Sequence, residues 1–500
     1  MREDEKVPRD TTMIVKRWQH FIGGRWVDSD NGDVLPVENP STGDHLADVA
    51  RASAGDVDRA VDAARRAFAS RVLVDMRPAD RGALMLEVAG HLKDMAEEIA
   101  VVDCLENGKP IQTARNEPAA AVRYFMYYAG LADKLEGTSI PLGRDYVDYT
   151  VRAPFGVSAQ IVPWNFPVQI AARSIACAIA TGNTVVLKTP ELSPLACTYL
   201  AKACSLAGVP DGVVNVVSGY GNEAGAALVA HHDIDHIVFT GSVATGQSIL
   251  RAAAERVIPC VMELGGKSGA IVFPDADIPQ AVASMTAGIF THAGQVCSAA
   301  SRLIVHRSVQ DRVVEQIAER ASQLVAGPAI DGPDLGPVIS EQQRAKIEEF
   351  VQRASSAGGA VVCGGKRVEH LPGHFMQPTI VADVAPDSEI VQNEVFGPVL
   401  VVQSFDDPEE AVLLANGTDY GLCSGVHTTD LQLAHWTADR LIAGQVFVNE
   451  WFAGGVETPF GGTKRSGFGR EKGQEALLGY VQTKNVAIRV SGTGTGRPGG

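Results

Sequence analysis

The chain has 500 residues, more than one hydrophobic core normally supports, so we expect two or more domains. Its hydrophobic content of 45% and charged content of 20% are those of an ordinary globular enzyme. A formal net charge of −16 argues against nucleic acid and anionic membrane surfaces as partners, because both attract a basic surface.

The two ends of the chain lack any pattern typical of a folded element. Residues 1–16 are polar and charged without the apolar stretch of a secretory signal, and residues 493–500 are glycine-rich, so both are predicted to be disordered tails. The eight cysteines form no CxxC pair and do not cluster with histidine, which argues against a metal site and against a disulfide framework. We therefore expect a cytoplasmic protein.

The first part of the chain is predicted to be helical, and a regular alternation of strands and helices follows it. Residues 56–70 and 80–107 have apolar residues at helical spacing, each segment opening near an aspartate that could cap its first turn. From residue 155, five β-branched runs alternate with alanine-rich segments: GVSAQIV, NTVVLK, GVVNVVSG, DHIVFTG and PCVMEL. This alternation predicts βαβ units with a parallel sheet, and hence a nucleotide site at the carboxyl ends of the strands.

A second α/β domain is predicted after Phe273. Residues 278–290 have the pattern of a helix, RLIVH that of a strand, and the alternation continues to about residue 449. The longest apolar region, residues 166–180, is interrupted by Gln169 and Arg173 and is too short to span a bilayer. No membrane partner is expected.

Cys297 and Glu263 are the strongest candidates for chemistry. A cysteine thiolate can attack a carbonyl carbon, and the resulting thioester needs a positioned base to activate water. By themselves, the two residues could equally be a small buried hydrophobe and a solvated loop acid.

Six short motifs surround this pair in a fixed order. They are PWNFP at 163–167, LKTPE at 187–191, FTGS at 239–242, ELGGK at 263–267, GQVCSA at 294–299 and EVFGPV at 394–399. With these motifs the chain resembles the aldehyde dehydrogenase superfamily, NAD(P)-dependent and non-acylating, over roughly residues 20–490.

The resemblance implies an α/β architecture of two Rossmann-like α/β domains and a β oligomerisation arm. It implies an NAD-binding domain at 17–136 and 156–270, the arm at 137–155 and 482–492, and a catalytic domain at 271–481. Both arm segments alternate like strands, and exposed strand edges usually find a partner. A homodimer or homotetramer is therefore expected.

The cofactor residues are also implied by the resemblance. SGYGNEAG at 218–225 has the wrong spacing for GxGxxG and is interpreted as a turn leading into a helix from Glu223. FTGSVATG is a better candidate for the cofactor site, since it spans the end of a predicted strand and the start of a helix. The free N–H groups at a helix amino terminus can bind a pyrophosphate. The expected NAD contacts are Trp164, Lys188, Glu191, Gly241, Ser242, Gly246, Glu394 and Phe396. Glu191 favours NAD, although Lys188 could tolerate the phosphate of NADP.

The resemblance assigns the catalytic roles as well. Cys297 would attack the aldehyde, the Asn165 amide and the Cys297 backbone N–H would hold the oxyanion, and Glu263 would activate water. Asn165 could instead be only a turn residue before Pro167. Glu471 matches a proposed proton relay, although a solvated acid at a helix end would explain it equally well.

The substrate is the least determined part. Phe166, Trp451, Phe452 and Phe460 could line an apolar tunnel or simply pack in the core. Arg173 could pair with a distal carboxylate of the substrate, yet relatives that act on aromatic aldehydes carry arginine there too. A coenzyme A-acylating dehydrogenase and a non-catalytic protein with the same fold are the alternatives.

Overall fold

The computed structural model describes residues 16–490, so the two predicted tails lie outside the described residues except for Lys16. The strands are β1 Arg17–Trp18, β2 His20–Ile22, β3 Arg25–Val27, β4 Val34–Asn39, β5 Asp44–Ala50, β6 Ser139–Ile140, β7 Tyr146–Pro154, β8 Val157–Ile161, β9 Thr184–Lys188, β10 Val214–Val217, β11 His236–Thr240, β12 Cys260–Glu263, β13 Gly269–Val272, β14 Arg302–His306, β15 Ala360–Cys363, β16 Thr379–Ala382, β17 Val399–Phe405, β18 Cys423–His427, β19 Gln445–Val448, β20 Gly467–Phe468 and β21 Val481–Arg489.

The helices connect these strands and cover the sheets. They are α1 Ala54–Ala69, α2 Pro78–Asp94, α3 Ala96–Asn107, α4 Ile111–Ala114, α5 Asn116–Leu131, α6 Pro167–Thr181, α7 Leu195–Leu206, α8 Ala226–Ala230, α9 Val243–Ala254, α10 Ile278–Phe290, α11 Gln310–Gln323, α12 Glu341–Ser356, α13 Glu389–Gln392, α14 Pro408–Asn416, α15 Leu431–Arg440 and α16 Glu475–Leu478.

An eight-stranded sheet contains the five predicted β-branched runs. Its strand order is β20-β12-β11-β8-β9-β10-β2-β3, and the run from β12 to β10 is parallel throughout. Every residue of β8, β9, β10 and β11 is buried. Strands that are buried along their whole length are typical of a parallel sheet with helices on both faces.

A seven-stranded sheet follows in the chain and confirms the second α/β unit. Its order is β15-β16-β17-β14-β13-β18-β19, with only the β15–β16 pair antiparallel. β13 belongs wholly to this sheet, while β20 returns to pair with β12 of the first. The α/β fold class is therefore confirmed, and the exact domain boundaries stay a prediction.

Two small three-stranded sheets complete the fold. One has the order β1-β5-β4. The other, the arm sheet β21-β7-β6, pairs β21 with β7 antiparallel from Val481 opposite Pro154 to Arg489 opposite Tyr146. Within residues 16–490, no helix combines the length and apolar character needed to cross a membrane.

The residues at which the first helices begin differ in part from those predicted from the sequence. Ser53 is the N-cap of α1, and Asp56 is its third residue, which completes a capping box with Ser53. The segment 80–107 is two helices that meet at Met95, and Asp80 caps neither of them. Pro78 begins α2 two residues earlier because its fixed φ suits the first helical position, so Asp80 falls in the first turn and pairs with Arg77.

Candidate active site

A cleft of about 180 Å³ lies at the carboxyl ends of β8, β11 and β12. It is lined by Pro163, Trp164, Asn165, Thr240, Gly241, Ser242, Glu263, Leu264, Gly265, Cys297, Gln343, Lys346, Glu394 and Phe396. The cleft thus brings together all three predicted catalytic residues and five of the predicted cofactor residues. The strand order explains this, because the carboxyl ends of neighbouring parallel strands meet at one edge of the sheet.

Cys297 is half-buried on the wall of this cleft, in the segment between α10 and β14. The chain turns sharply before it, with positive φ at His292, Ala293 and Gly294. At Gly294 a Cβ would lie 2.0 Å from the Gly397 carbonyl oxygen, so only glycine fits. Burial raises the pKa of the Cys297 thiol to about 12, and the Glu394 carboxylate adds to the effect. The resting residue is therefore a thiol at neutral pH.

Glu263 ends β12 and is only 1% exposed. Neither of its carboxylate oxygens has a hydrogen-bond partner among residues 16–490. Burial raises its pKa well above the ordinary value, and the charge of Glu471 acts in the same direction. A raised pKa makes the Glu263 carboxylate a stronger base than an ordinary glutamate, which suits the role of a general base.

Asn165 is buried between β8 and α6, and its side chain is anchored. Its Nδ2 donates to the Gln295 carbonyl oxygen at 3.0 Å, two residues before Cys297. This contact uses one of the two amide N–H groups. The other N–H remains available to a group in the cleft, which goes beyond the turn role that the sequence left open.

A glycine pair after Glu263 connects the cleft walls, a contact that the motif alone did not reveal. The Gly266 N–H donates to Glu394 Oε1 at 3.1 Å. A Cβ on Gly265 would lie 2.1 Å from Glu394 Oε2, and one on Gly266 would lie 2.6 Å from the Cys297 carbonyl oxygen. Burial raises the pKa of Glu394 to about 7. The close approach of the Cys297 backbone therefore requires glycine at position 266, whereas a side chain at position 265 would displace the Glu394 carboxylate.

Replacing Gly266 with alanine tests this packing. The added methyl group should lower stability by about 1–3 kcal/mol and displace the Cys297 backbone, reducing activity. The measurements are the melting temperature and kcat/KM. Gly90→Ala in α2 is the matched control, because a Cβ there meets nothing within 4 Å. A Gly266→Ala protein with unchanged melting temperature and activity would contradict the packing argument.

A second cleft adjoins the first along the same sheet edge and contains Glu191. Its walls come from the end of β8 and from α8 and α9, and its volume is about 940 Å³. Glu191 Oε2 accepts a hydrogen bond from the Gly221 N–H at 3.0 Å. Residues 221–225 form one turn of π-helix that continues into α8, rather than a helix that begins at Glu223.

Three other predicted cofactor residues have different surroundings. Ser242 is the N-cap of α9, with its Oγ accepting from the Thr245 N–H. Gly246 lines neither cleft, since a Cβ there would lie 2.6 Å from the Leu264 side chain. Lys188 is 4% exposed, and burial lowers its pKa to about 8. The first turn of α9 thus packs Gly246 directly on Leu264, and a contact of Gly246 with the cofactor stays a prediction.

Arg173 and Glu471 form a buried ion pair. The two residues are 6% and 2% exposed, and Ser174 Oγ also donates to Glu471 at 3.0 Å. Although burial works against the charge, the Glu471 carboxylate raises the pKa of Arg173 above its usual range. The interpretation of Glu471 as a solvated acid is therefore wrong, and the carboxylate that Arg173 contacts belongs to the protein itself.

The four predicted tunnel aromatics are divided between core and surface. Trp451 is buried and donates from Nε1 to the Ser298 carbonyl oxygen at 2.9 Å, so it supports the Cys297 segment from the core. Phe166 and Phe460 are partly buried against the same core cluster as Cys297, and Phe452 is more exposed. Phe166 and Phe460 remain the candidates for a substrate channel.

A group of potential metal ligands lies away from the cleft. The ligand atoms of His231, His232 and Asp233 lie within 4.8 Å of one another, just before β11 begins. The cleft is at the opposite, carboxyl end of that strand. The His231 ring already contacts Asp58 and the Asp233 N–H, so this group is separate from the chemistry of the cleft.

Comparison with known proteins identifies the family. Residues 26–486 match the sequence profile described as the aldehyde dehydrogenase family. The chain belongs to the aldehyde dehydrogenase family. An aldehyde dehydrogenase of Aspergillus niger is 43% identical over 472 residues, which are 94% of this chain and 95% of that protein.

Solved aldehyde dehydrogenases have the same fold. The NAD⁺ complex of a Bacillus cereus aldehyde dehydrogenase is 41% identical, with a TM-score of 0.93 over 95% of this chain and 97% of that one. An NAD-dependent aldehyde dehydrogenase of Sinorhizobium meliloti is 37% identical, with a TM-score of 0.95 over 99% and 98% of the two chains. The prediction of an aldehyde dehydrogenase is confirmed.

Proposed function

We propose that this protein oxidises an aldehyde to its carboxylic acid, with NAD as the electron acceptor and a thioester on Cys297 as the intermediate. The observation that carries the proposal is the single cleft shared by Cys297, Glu263 and Asn165. A nucleophile, a carboxyl group and an amide N–H line the same space, and within residues 16–490 the carboxyl group and that N–H have no hydrogen-bond partner. This is the set of groups that acyl transfer to water requires.

The dinucleotide has matching surroundings in the two adjoining clefts. Gly241 and Ser242 line the first cleft and Ala244 and Thr245 the second, so one helix start borders both. Glu191 in the second cleft can accept hydrogen bonds from ribose hydroxyls. Glu394 and Phe396 flank the opposite end, beside Cys297. When bound, NAD supplies the acceptor for the hydride that leaves the substrate carbon.

The chain's own groups carry the remaining steps. The Cys297 thiol gives its proton to solvent, and the sulfur bonds to the aldehyde carbon to give a tetrahedral thiohemiacetal. The free Asn165 N–H and the Cys297 backbone N–H stabilise its oxyanion. After oxidation to the thioester, Glu263 takes a proton from water. The hydroxide adds to the acyl carbon, and the acid leaves as the thiol re-forms.

The choice of NAD over NADP is assigned to Glu191. A carboxylate at the ribose repels a 2′-phosphate, and the lowered pKa of buried Lys188 weakens its ability to compensate. Glu191→Gln should therefore shift the ratio of kcat/KM for NAD to that for NADP by about tenfold towards NADP. Exposed Glu255 at the end of α9 offers the control Glu255→Gln. An unchanged ratio in Glu191→Gln would contradict the assignment.

One experiment separates the proposal from its rivals. NADH is measured under excess aldehyde without coenzyme A. Sustained turnover with formation of the free acid supports the hydrolytic reaction, and a single turnover that resumes only with coenzyme A supports the acylating alternative. No NADH from a broad set of aldehydes would favour a protein without catalytic activity.

We propose a homodimer or homotetramer assembled through the arm sheet. Both outer strands of this sheet, β6 and β21, have a free edge within residues 16–490. Tyr146, Val147 and Ile488 on its strands are exposed apolar residues. Free strand edges beside apolar side chains favour pairing with another chain. Light scattering after size exclusion measures the assembly directly.

A further inference from the structure

Phe460 contacts two positive side chains beside the reactive segment. The Arg173 guanidinium carbon lies 5.8 Å from the Phe460 ring centre, and the Lys472 ammonium nitrogen lies 5.4 Å from it. The Phe460 ring, Phe166 and Cys297 are all partly buried against one core cluster. Two cations therefore flank an aromatic residue that packs on the same cluster as the nucleophile.

Backbone pairing fixes Lys472 in this position. Phe460 and Glu471 exchange two N–H···O bonds of 2.6 and 2.7 Å, and Lys472 follows directly. Lys472 has a φ of 61°, a left-handed conformation that is unfavourable for a residue with a Cβ. The surrounding chain thus holds the lysine over the ring at a conformational cost.

Of the two cations, only Arg173 has an anionic partner among the described residues. Arg173 is paired with buried Glu471. The Lys472 ammonium group makes no hydrogen bond or ion pair within the described part of the chain, and the nearby Glu457 is already paired with Arg123. Burial lowers the pKa of Lys472, and repulsion from Arg173 lowers it further. An anion bound beside Lys472 would stabilise its charged form against both burial and the repulsion from Arg173.

The surroundings favour a small anion on an otherwise apolar molecule. Phe166 and Phe460 offer apolar surface on the same core cluster as Cys297, while Lys472 offers one point charge with three donors. A monoanionic carboxylate matches one lysine, whereas a phosphate dianion would leave charge unpaired.

We propose that Lys472 determines substrate specificity by binding a carboxylate at the far end of an aldehyde whose carbonyl carbon reaches Cys297. The inference rests on the proposed aldehyde oxidation and adds the substrate class, a short ω-carboxylated aldehyde. The sequence had pointed to Arg173 for this role, but Glu471 occupies that residue. Lys472 follows Glu471 directly and has no such partner in the part of the chain that the structure describes.

The test compares substrates that differ only in the terminal charge. Wild-type protein is assayed with 4-oxobutanoate against pentanal and with 5-oxopentanoate against hexanal, each with NAD. We expect a higher kcat/KM for the carboxylated member of at least one pair. We also expect its KM to rise with ionic strength, because salt screens the interaction.

Variants then assign the preference to the residue. Lys472→Met should lower the ratio of kcat/KM, carboxylated to uncharged, by about tenfold or more, mainly through KM. Lys472→Arg should restore most of the ratio because it keeps the charge. Lys93→Met, which removes an exposed lysine of α2, should leave the ratio at the wild-type value.

The outcomes separate this inference from the proposed function. If the wild-type protein oxidises pentanal and hexanal at least as well as their carboxylated partners, the inference is overturned and the proposed function stands. An equal loss for both members of a pair in Lys472→Met overturns it too. If the wild-type protein oxidises none of the four aldehydes but does oxidise others, the inference is overturned. If it oxidises no aldehyde of a broad set, the proposed function itself fails. The wild-type comparison decides the matter even if Lys472→Met does not fold.

Discussion

Replacing Cys297 with alanine should abolish NADH formation from any aldehyde, with kcat falling by at least about 10⁴-fold. The reason is that no other cysteine lines the cleft within the described residues, so no thiol can form the thioester. The measurement is single-turnover absorbance at the NADH band. NAD binding, followed by quenching of intrinsic fluorescence, should persist because Cys297 is not the residue that holds the dinucleotide.

Cys260→Ala is the matched control for this variant. Cys260 is also partly exposed and begins β12, the strand that ends at Glu263, yet it lies outside the cleft. It should keep wild-type turnover. Normal NADH formation by Cys297→Ala would refute the nucleophile assignment, as would mass analysis that finds a trapped acyl group on another side chain.

The raised pKa of Cys297 adds a pH dependence to the same prediction. With a thiol pKa of about 12, the thiolate fraction increases about tenfold for each pH unit throughout the neutral range. Alkylation of Cys297 by iodoacetamide in the NAD-free protein should therefore keep rising from pH 6 to pH 10 without a plateau. A plateau below pH 8 would show a thiol activated before the cofactor binds.

Replacing Glu263 with glutamine should separate the two halves of the reaction. The first turnover should still release NADH in a burst equal to the enzyme concentration, because thioester formation needs Cys297 and the oxyanion contacts. The steady-state rate should fall by about 10²- to 10⁴-fold, because the amide cannot accept a proton from water. Stopped-flow absorbance measures both phases in one experiment.

Two further measurements make this prediction specific. Glu255→Gln, a change to an exposed residue after α9, should keep both phases at wild-type values. Acid quenching of Glu263→Gln during the steady state should show the acyl group on Cys297. Loss of the burst together with the steady state would mean that Glu263 acts before hydrolysis, and it would contradict a role confined to the activation of water.

Much of the candidate site could be predicted from the sequence because its residues lie beside strand ends. Glu263 closes β12, Thr240 closes β11, and Asn165 follows β8. Once a parallel sheet is recognised, strand-end residues are expected at one edge, so their convergence needs no further information. Cys297 was found through its chemistry and its motif, since the kinked segment before it has no regular periodicity.

Contacts between distant segments could not be predicted in the same way. A single sequence gives no sign that Ser174 and Glu471, which are 297 residues apart, are in contact. The sequence therefore left Arg173 free for substrate and Glu471 as a solvated acid, and both expectations changed when the fold joined them. Gly246 and Trp451 likewise matched site patterns but are held by packing against Leu264 and by a bond to Ser298.

The sequence by itself determined the fold class, the family and the candidate reactive groups, because β-branched periodicity and short motifs are local properties of the chain. Only the tertiary structure decided which charges are paired, since burial and ion pairing depend on elements that meet in space. That packing neutralises Arg173 with Glu471, and it leaves Glu263 and Lys472 without a partner among residues 16–490. The electrostatic balance that governs reactivity and specificity is therefore a property of the folded chain.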